Sequence, residues 1–584
     1  MKSEIDKKSI NLDSDSFNIS EYDINLSLNS LALSDVPSCV IIKTNFIYGN
    51  GKSAFKAVLK EYSKKTSVHG LNYIFEIHRP FYEKLYWIIA LLVSLYLAIY
   101  YMWESYDKWS NTPVILGFDE TLVDISTIPF PTITICPENK RDMTNSQFPE
   151  VSSLIWSEIM EYGDFQNRLN ISEKQEQRFL STLQICDQEI ISRFAPYMTS
   201  NINMNVAQNL LDIVHDTNTT ITACEWKTVL DYSCGILKKM ITEDGVCFQF
   251  NGLRHQDLYK KTEYINYKDE LENDVNVSGS WSLDGGYQGQ GYNAYPLRSI
   301  LPSVRNGFRL ELATFGKHID YLCGTFKQGY KVFLNSPDSI ALTRGNYILV
   351  PKSKDVMITV VPQFIKSQDN LMDYPVEKRQ CYFNKERNLR YFKFYTQNNC
   401  QTECSTNYTI TKCGCARFWM PRPLDIPICD ITKLTCYTNA AHDLELLIAN
   451  QTARKTKDHK VQIICDCIPA CNSLEYNFEI TQGNLDANAT LKAYRLFDHN
   501  EDISLSRLIV HYKESQFTAI KRTAIYDHNQ LIADCGAIFG LFMGGSILTI
   551  IEFIYFFSVR LFHNYRKRLL IQKKIDELEI NLSS

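Results

Sequence analysis

LYWIIALLVSLYLAIYYMW (residues 85–103) runs for nineteen residues without a charged side chain. At about 1.5 Å per residue, a helix of that length covers roughly the 30 Å hydrocarbon core of a bilayer. Core helices this long normally show a polar face, and this one shows none. Tyr86, Trp87, Tyr100, Tyr101 and Trp103 sit near its ends, where an aromatic belt belongs. The segment therefore reads as a membrane span. A second apolar stretch covers residues 532–559. Within it CGAIFGLFMGGSILTII (residues 535–551) lies uncharged between Asp534 and Glu552, and FIYFFSV follows Glu552.

Flanking charge orients the two spans. Lys52, Lys56, Lys60, Lys64, Lys65, Arg79 and Lys84 precede the first, and Arg560, Arg566, Lys567, Arg568, Lys573 and Lys574 follow the second. The excess of Lys and Arg on the cytosolic side of membrane proteins predicts that both termini are cytosolic. Residues 1–20 are polar and carry no apolar run, so no cleavable signal is expected and the spans must direct export. What lies between them agrees. Of the 18 cysteines, all but Cys39 and Cys535 fall between Cys136 and Cys471, an even cluster that reads as a disulfide framework in an oxidising compartment. Asn-x-Ser/Thr sequons at Asn170, Asn218, Asn276, Asn407, Asn450 and Asn488 lie in the same region.

The 584 residues thus divide into a cytosolic N-terminal region (1–84), a first span (85–105), an extracellular domain (106–528), a second span (529–559) and a cytosolic tail (560–584). Strand signals in the middle region are ISTIPFPTITIC (125–136), YKVFLN, NYILVP, DVMITVVPQF and LRYFKFYT. SQFPEVSSLIWSEIMEY and AQNLLDIVH read as helices. The expected fold class is a membrane protein with two transmembrane helices and a large disulfide-rich α+β extracellular domain, a β core with peripheral helices.

Composition is 45% hydrophobic and 22% charged, and a net charge of −5 gives no reason to expect nucleic acid. Gly51-Lys52-Ser53 resembles the end of a phosphate-binding loop, but Phe46 stands where that loop needs glycine. GGYQGQG (285–291) is followed by no helical run and reads as a surface loop. Cys413-Gly-Cys415 and Cys465-Asp-Cys467 have zinc-ligand spacing, yet outside the cell disulfides are the better reading, and no metal is expected. No catalytic constellation emerges, and neither enzymatic activity nor a cofactor is expected.

The second span has content that a lipid-facing helix does not need. A charge at the bilayer centre costs about 2.5–3.5 kcal/mol on the insertion scale, so Asp534 and Glu552 point to a bundle interior or a water-filled path. Gly536, Gly540 and Gly544 recur at every fourth position and share one helical face where backbones approach closely. Gly544-Gly545-Ser546 weakens the helix, two glycines costing about 2 kcal/mol relative to alanine. If the helix opens there, the freed carbonyls must line a cavity rather than lipid. Carbonyls that replace a hydration shell are how pores select cations.

These residues carry a resemblance. Thr66-Ser67-Val68-His69-Gly70, PFPTITICPEN (129–139), TEDGVCFQFN (242–251), RQCYFNKERNLRYFKFYTQNNCQTEC (379–404), CGCARFWMPR (413–422) and GLFMGGSILTIIE (540–552) together resemble the epithelial sodium channel/degenerin family, in particular its insect pickpocket branch, over about residues 66–560. The resemblance implies an amiloride-sensitive, sodium-preferring cation channel subunit in the plasma membrane, gated through its extracellular domain. Its partners would be sodium ions, the lipid bilayer and related subunits in a homo- or heterotrimer. Gly544, Gly545 and Ser546 would form the selectivity filter, with Gly545 where the family usually has alanine. Ala533 and Asp534 would stand at the gate and outer mouth, Gly536, Gly540 and Glu552 along the pore, and His69 and Gly70 at the cytosolic gating motif. By family pattern Cys136 pairs with Cys247, Cys224 with Cys234, Cys381 with Cys471, Cys400 with Cys467, Cys404 with Cys465, Cys413 with Cys436, and Cys415 with Cys429. Cys186 and Cys323 are taken as an eighth pair. Two other classes share the topology: an ectoenzyme, which would need a phosphate-cradling loop that the middle region does not show, and a scavenger or lipid-binding receptor, which would not need Asp534, a glycine break and Glu552 in one span.

Overall fold

The computed structural model describes residues 58–59, 61–76, 79–111, 114–140, 157, 172–186, 205–214, 220–260, 281–289, 291–292, 294–316, 319, 323, 328–343, 345–455, 465–493, 503–567, 569–570 and 573. The chain forms two compact units: residues 1–112 with 526–584, and residues 113–525. The helices that matter below are α1 (Phe81–Asn111), α2 (Glu173–Leu183), α3 (Val206–Ile213), α4 (Gln397–Cys413), α5 (Leu434–Lys455), α6 (His528–Met543) and α7 (Ile547–Tyr555).

The larger unit is built on two sheets. One joins β1 (Val114–Asp124), β13 (Gln516–Ala524), β10 (Lys354–Ser367), β12 (Ile503–Tyr512), β7 (Phe308–Phe315), β3 (Ile221–Trp226) and β4 (Val229–Asp231) in that order, with β11 (Ser473–Asn484) also on β10. The other runs β5 (Leu237–Thr242), β6 (Gly245–Phe250), β2 (Thr132–Pro137), β8 (Tyr330–Asn335) and β9 (Ile348–Val350). Alternation along β10 buries Val356, Ile358 and Val360, which join Leu310, Leu508 and Val510 of the same sheet and Ile133, Ile135, Phe248 and Phe250 of the other in one core. Phe250 and Phe308 stack across it at 4.2 Å between ring centroids. Each such fully buried side chain contributes about 1.5–3 kcal/mol.

Proline placement decides two local outcomes. Pro362 sits inside β10, where a missing N–H normally breaks a ladder. Here β10 pairs with β12 over residues 355–360 and with β13 over 365–367, so Pro362 falls where one parallel neighbour gives way to the next. The expected strand at 125–136 is split for the same reason. Pro129 and Pro131 interrupt it, leaving a 3-10 turn at Ile125–Thr127 and a strand only from Thr132. The Pro129 carbonyl is buried and accepts from the hydroxyls of Tyr476 (2.8 Å) and Tyr512 (2.7 Å). The first strand of this unit is instead Val114–Asp124, which the sequence reading overlooked.

YKVFLN, NYILVP and DVMITVVPQF correspond to β8, β9 and β10, and AQNLLDIVH to α3. LRYFKFYT is not a strand. Its only ladder contact among the described residues is an isolated bridge between Phe392 and Tyr259, and Tyr391 and Phe392, both buried, pack with Leu258 and Tyr259 in a separate cluster. SQFPEVSSLIWSEIMEY lies outside the described residues, Ser157 apart. GGYQGQG is a turn where described.

Disulfides brace the larger unit. The bonds are Cys136–Cys247, Cys186–Cys323, Cys224–Cys234, Cys381–Cys471, Cys400–Cys467, Cys404–Cys465, Cys413–Cys436 and Cys415–Cys429. Two tie α4 to the strip of chain at Cys465 and Cys467, and a third links its last residue to α5. Each closed loop stabilises by about 2–4 kcal/mol.

In the smaller unit, α1 and the helix at Ile547–Lys567 are long and apolar enough to cross a membrane. With the disulfide-rich α+β domain between them, the molecule is a two-span membrane protein.

Candidate functional site: the break in the second span

The second apolar segment starts as expected of a capped helix. The Asp527 carboxylate accepts from the Gln530 backbone N–H at 2.9 Å. α6 runs to Met543 and stops at Gly544, which is left-handed with φ 65° and donates its N–H to the Gly540 carbonyl at 2.9 Å. Ser546 then caps α7. Its N–H donates to the Thr549 hydroxyl at 2.9 Å, and its carbonyl accepts from the Thr549 N–H at 2.9 Å. Residues 544–546 therefore form a short non-helical bridge in the middle of an apolar segment. Beyond α7 the helix takes a π-turn at Phe556–Arg560 and continues, rather than running unbroken from 529 to 559.

A helix end inside a bilayer needs donors for its freed carbonyls. Two come from elsewhere in the unit. The His69 N–H donates to the Met543 carbonyl at 3.0 Å, and the Ser94 hydroxyl of α1 donates to the Phe542 carbonyl. Among the described residues, the carbonyls of Gly544 and Gly545 receive no donor.

The turn bearing His69 and Gly70 is fitted to this break. A Cβ on Gly544 would stand 2.3 Å from His69 Cδ2, so the imidazole occupies the place a side chain would take. Gly70 is itself left-handed, φ 84°, with Trp87 of α1 3.3 Å from the position of a Cβ. The hydroxyls of Ser67 and Thr549 meet at 2.6 Å, with Thr549 buried beneath the bridge. A Cβ on Gly545 would lie 2.1 Å from the Phe539 ring, so the glycine admits that ring against the backbone.

The remaining sequence-predicted positions are distributed along the segment. Asp534 accepts from the Tyr526 hydroxyl and from Gln530 Nε2 at 3.1 Å. Ala533 and Gly536 are exposed on this chain, and nothing lies within 4 Å of a Cβ placed on Gly536. Glu552, two turns past the bridge, has one carboxylate oxygen buried with no partner among the described residues. The structure thus joins His69 to Gly544 directly and keeps Asp534 and Glu552 on opposite sides of the bridge.

Sequence reasoning missed four contributors: Ser67, Ser94, Glu61 and Tyr62. Ser94 had a signal, being the lone serine of the uncharged run 85–103 and in need of an acceptor. Glu61 and Tyr62 had none. Glu61 binds Arg560 at 2.9 and 3.3 Å, and Tyr62 packs edge-on against Phe553, Phe556 and Phe557. The Arg560 guanidinium holds the Glu61 carboxyl below its ordinary range.

Comparison with known proteins places this geometry in context. The family model described as "Amiloride-sensitive sodium channel" matches residues 62–556. Pickpocket protein 28 of Drosophila melanogaster is 22% identical over 526 residues, covering 87% of this chain and 79% of that protein. The sodium channel protein Nach of the same species is 20% identical over 508 residues, 87% of this chain and 88% of its own. Acid-sensing ion channel 1A of Danio rerio is 21% identical over 525 residues, 86% and 88%. The match runs from Tyr62, through the disulfide-braced domain, to the end of α7, and the chain belongs to the amiloride-sensitive sodium channel family.

Proposed function

We propose that the chain is a subunit of a sodium-preferring, amiloride-sensitive cation channel of the plasma membrane, gated through its disulfide-bonded domain. The observation that carries this reading is the bridge at Gly544–Ser546. It is an interruption in an apolar segment with two carbonyls left without donors. Lipid cannot solvate such groups, whereas a cation shedding water can.

In this reading residues 529–559 line the pore, and Gly544, Gly545 and Ser546 form the constriction. Three copies assemble, as homo- or heterotrimer, with the open face of Gly536 toward neighbouring subunits. Asp534 contributes to a ring of carboxylates that concentrates cations at the outer mouth. Ala533 stands at the gate, and Glu552 faces the water-filled path below the constriction. His69 and Gly70 couple the cytosolic turn to the filter. Residues 1–84 and 560–584 are cytosolic, 106–528 extracellular. Of the sequons, Asn407 and Asn450 have exposed side chains suited to glycosylation, while Asn170, Asn218 and Asn276 lie outside the described residues.

The test is two-electrode recording from cells expressing the chain alone and with related subunits, under candidate mechanical, osmotic and chemical stimuli. A current whose reversal potential follows external sodium, and which amiloride blocks, is expected. Robust surface expression with no current under any pairing would favour a two-span receptor instead.

A further inference from the structure

The larger unit contains a partly enclosed cavity of about 480 Å³ between α4, α5 and the sheet that begins with β5. That volume falls within the range of small-molecule sites. Protein interiors otherwise close-pack, so a hollow of this size between disulfide-braced elements needs an occupant or water.

Its walls favour an organic occupant. Met240, Leu258, Ile340 and Met420 line it from separate parts of the chain, and Leu444 and Ile448 line it from α5. The α4 wall is less polar than its residue types suggest. The hydroxyls of Thr402 and Thr409 donate back to the carbonyls of Asn398 (2.9 Å) and Ser405 (2.8 Å), which occupies their polar ends. Both guanidinium groups among the lining residues are paired. Arg417 is paired with Glu243, and Arg254 with Asp257 at 2.7 Å, so neither cation calls for an anionic ligand.

Two groups among the lining residues point to a polar function on the occupant. The Tyr437 hydroxyl and Trp419 Nε1 are buried without a hydrogen-bond partner among the described residues, and Tyr437 is only 2% exposed. Unsatisfied buried donors are rare in native proteins and mark a missing acceptor. Burial pushes the Tyr437 hydroxyl up to about 12, which keeps it a donor at neutral pH.

We propose that this cavity binds an uncharged, drug-sized organic molecule with an apolar body and one hydrogen-bond acceptor, whose acceptor engages the side chains of Tyr437 and Trp419. The site is distinct from the bridge at Gly544 and does not depend on ion conduction.

The probe is benzophenone, an apolar diaryl body with one carbonyl, which on irradiation inserts into C–H bonds and favours methionine. Full-length protein in nanodiscs is irradiated with it, and adducts are mapped by peptide mass spectrometry. Saturable adducts at Met240 or Met420 are expected. They should fall at least tenfold in Ala441→Trp and in Ser405→Trp, which fill the cavity from α5 and from α4. Competition on the unaltered chain decides the matter even if both variants misfold. Diphenylmethanol should compete at least tenfold better than diphenylmethane, and Tyr437→Phe should abolish that advantage. Adducts confined to the membrane helices, or non-saturable at the cavity, would overturn the site. Equal competition by the two diphenyl compounds would overturn the acceptor assignment.

Discussion

Gly544 carries two constraints at once. Its φ of 65° costs an L-residue about 1–2 kcal/mol, and the His69 ring fills the space beside it. Gly544→Ala adds a steric clash to that strain, overpacking being typically worth another 1–3 kcal/mol. The expected outcome is loss of current with surface expression retained. His69→Ala in the same chain removes the clash but not the backbone strain, so it should restore part of the current. Recording paired with surface labelling reads both, and no recovery in the double variant would mean that the ring is not what excludes the side chain. Ala533 tests a different point. It is exposed on one chain, and three copies meeting near an axis would close best with small side chains. Ala533→Val should overpack the closed state. A penalty of about 2.8 kcal/mol confined to that state shifts the open/closed ratio about a hundredfold. A standing, amiloride-blocked sodium current is expected. Normal expression without added current, in a chain that conducts when unaltered, would move the gate elsewhere.

At the scale of elements, the helical turn at 61–65 is tied to the far end of the second span by Glu61–Arg560 and by Tyr62 among three phenylalanines. Glu61→Arg or Arg560→Glu alone should place like charges together and reduce current, and the double exchange should recover it. The Glu61 carboxyl is held low, so its contribution is present at neutral pH and disappears only as pH falls through that depressed value. Acidifying the cytosolic face of an excised patch from about pH 7.4 to 6 should therefore leave this contact intact. A current change over that range that vanishes in Glu61→Gln would contradict the assignment. Why this contact was invisible in the sequence is plain: 499 residues separate its partners, and neither belongs to a periodic pattern. The bridge itself was legible, because two glycines and a serine in an apolar run are a local property. The donors that complete it were not, since the partners of Ser67 and His69 lie more than 470 positions away. LRYFKFYT failed for a related reason. Its β-forming composition is real, but tertiary burial of adjacent aromatics overrode it.

For the whole molecule, the spans and the cysteine distribution were readable because apolar length and oxidation compartment leave compositional marks. The strand order, in which β10 borders three other strands, had no such mark and comes only from packing. Topology gives a direct test. Tags at Met1 and Ser584 should resist protease in intact cells. Asn407→Gln and Asn450→Gln should each remove one glycosidase-sensitive step in gel mobility. Accessible tags, or mobility unchanged by glycosidase, would reverse the orientation. The disulfides along α4 make a second test. Cys404→Ser should leave Cys465 reactive toward a membrane-impermeant maleimide. Failure to label surface-expressed protein would mean that this bond, or its exposure outside the cell, is misassigned.

The fit of His69 against Gly544 also says how this protein is free to vary. The two positions share one small volume, so they should drift together across lineages rather than singly. A descendant that gains a methyl group at 544 is expected to have surrendered the imidazole at 69 first. One that keeps the imidazole is expected to have kept a bare α-carbon opposite it.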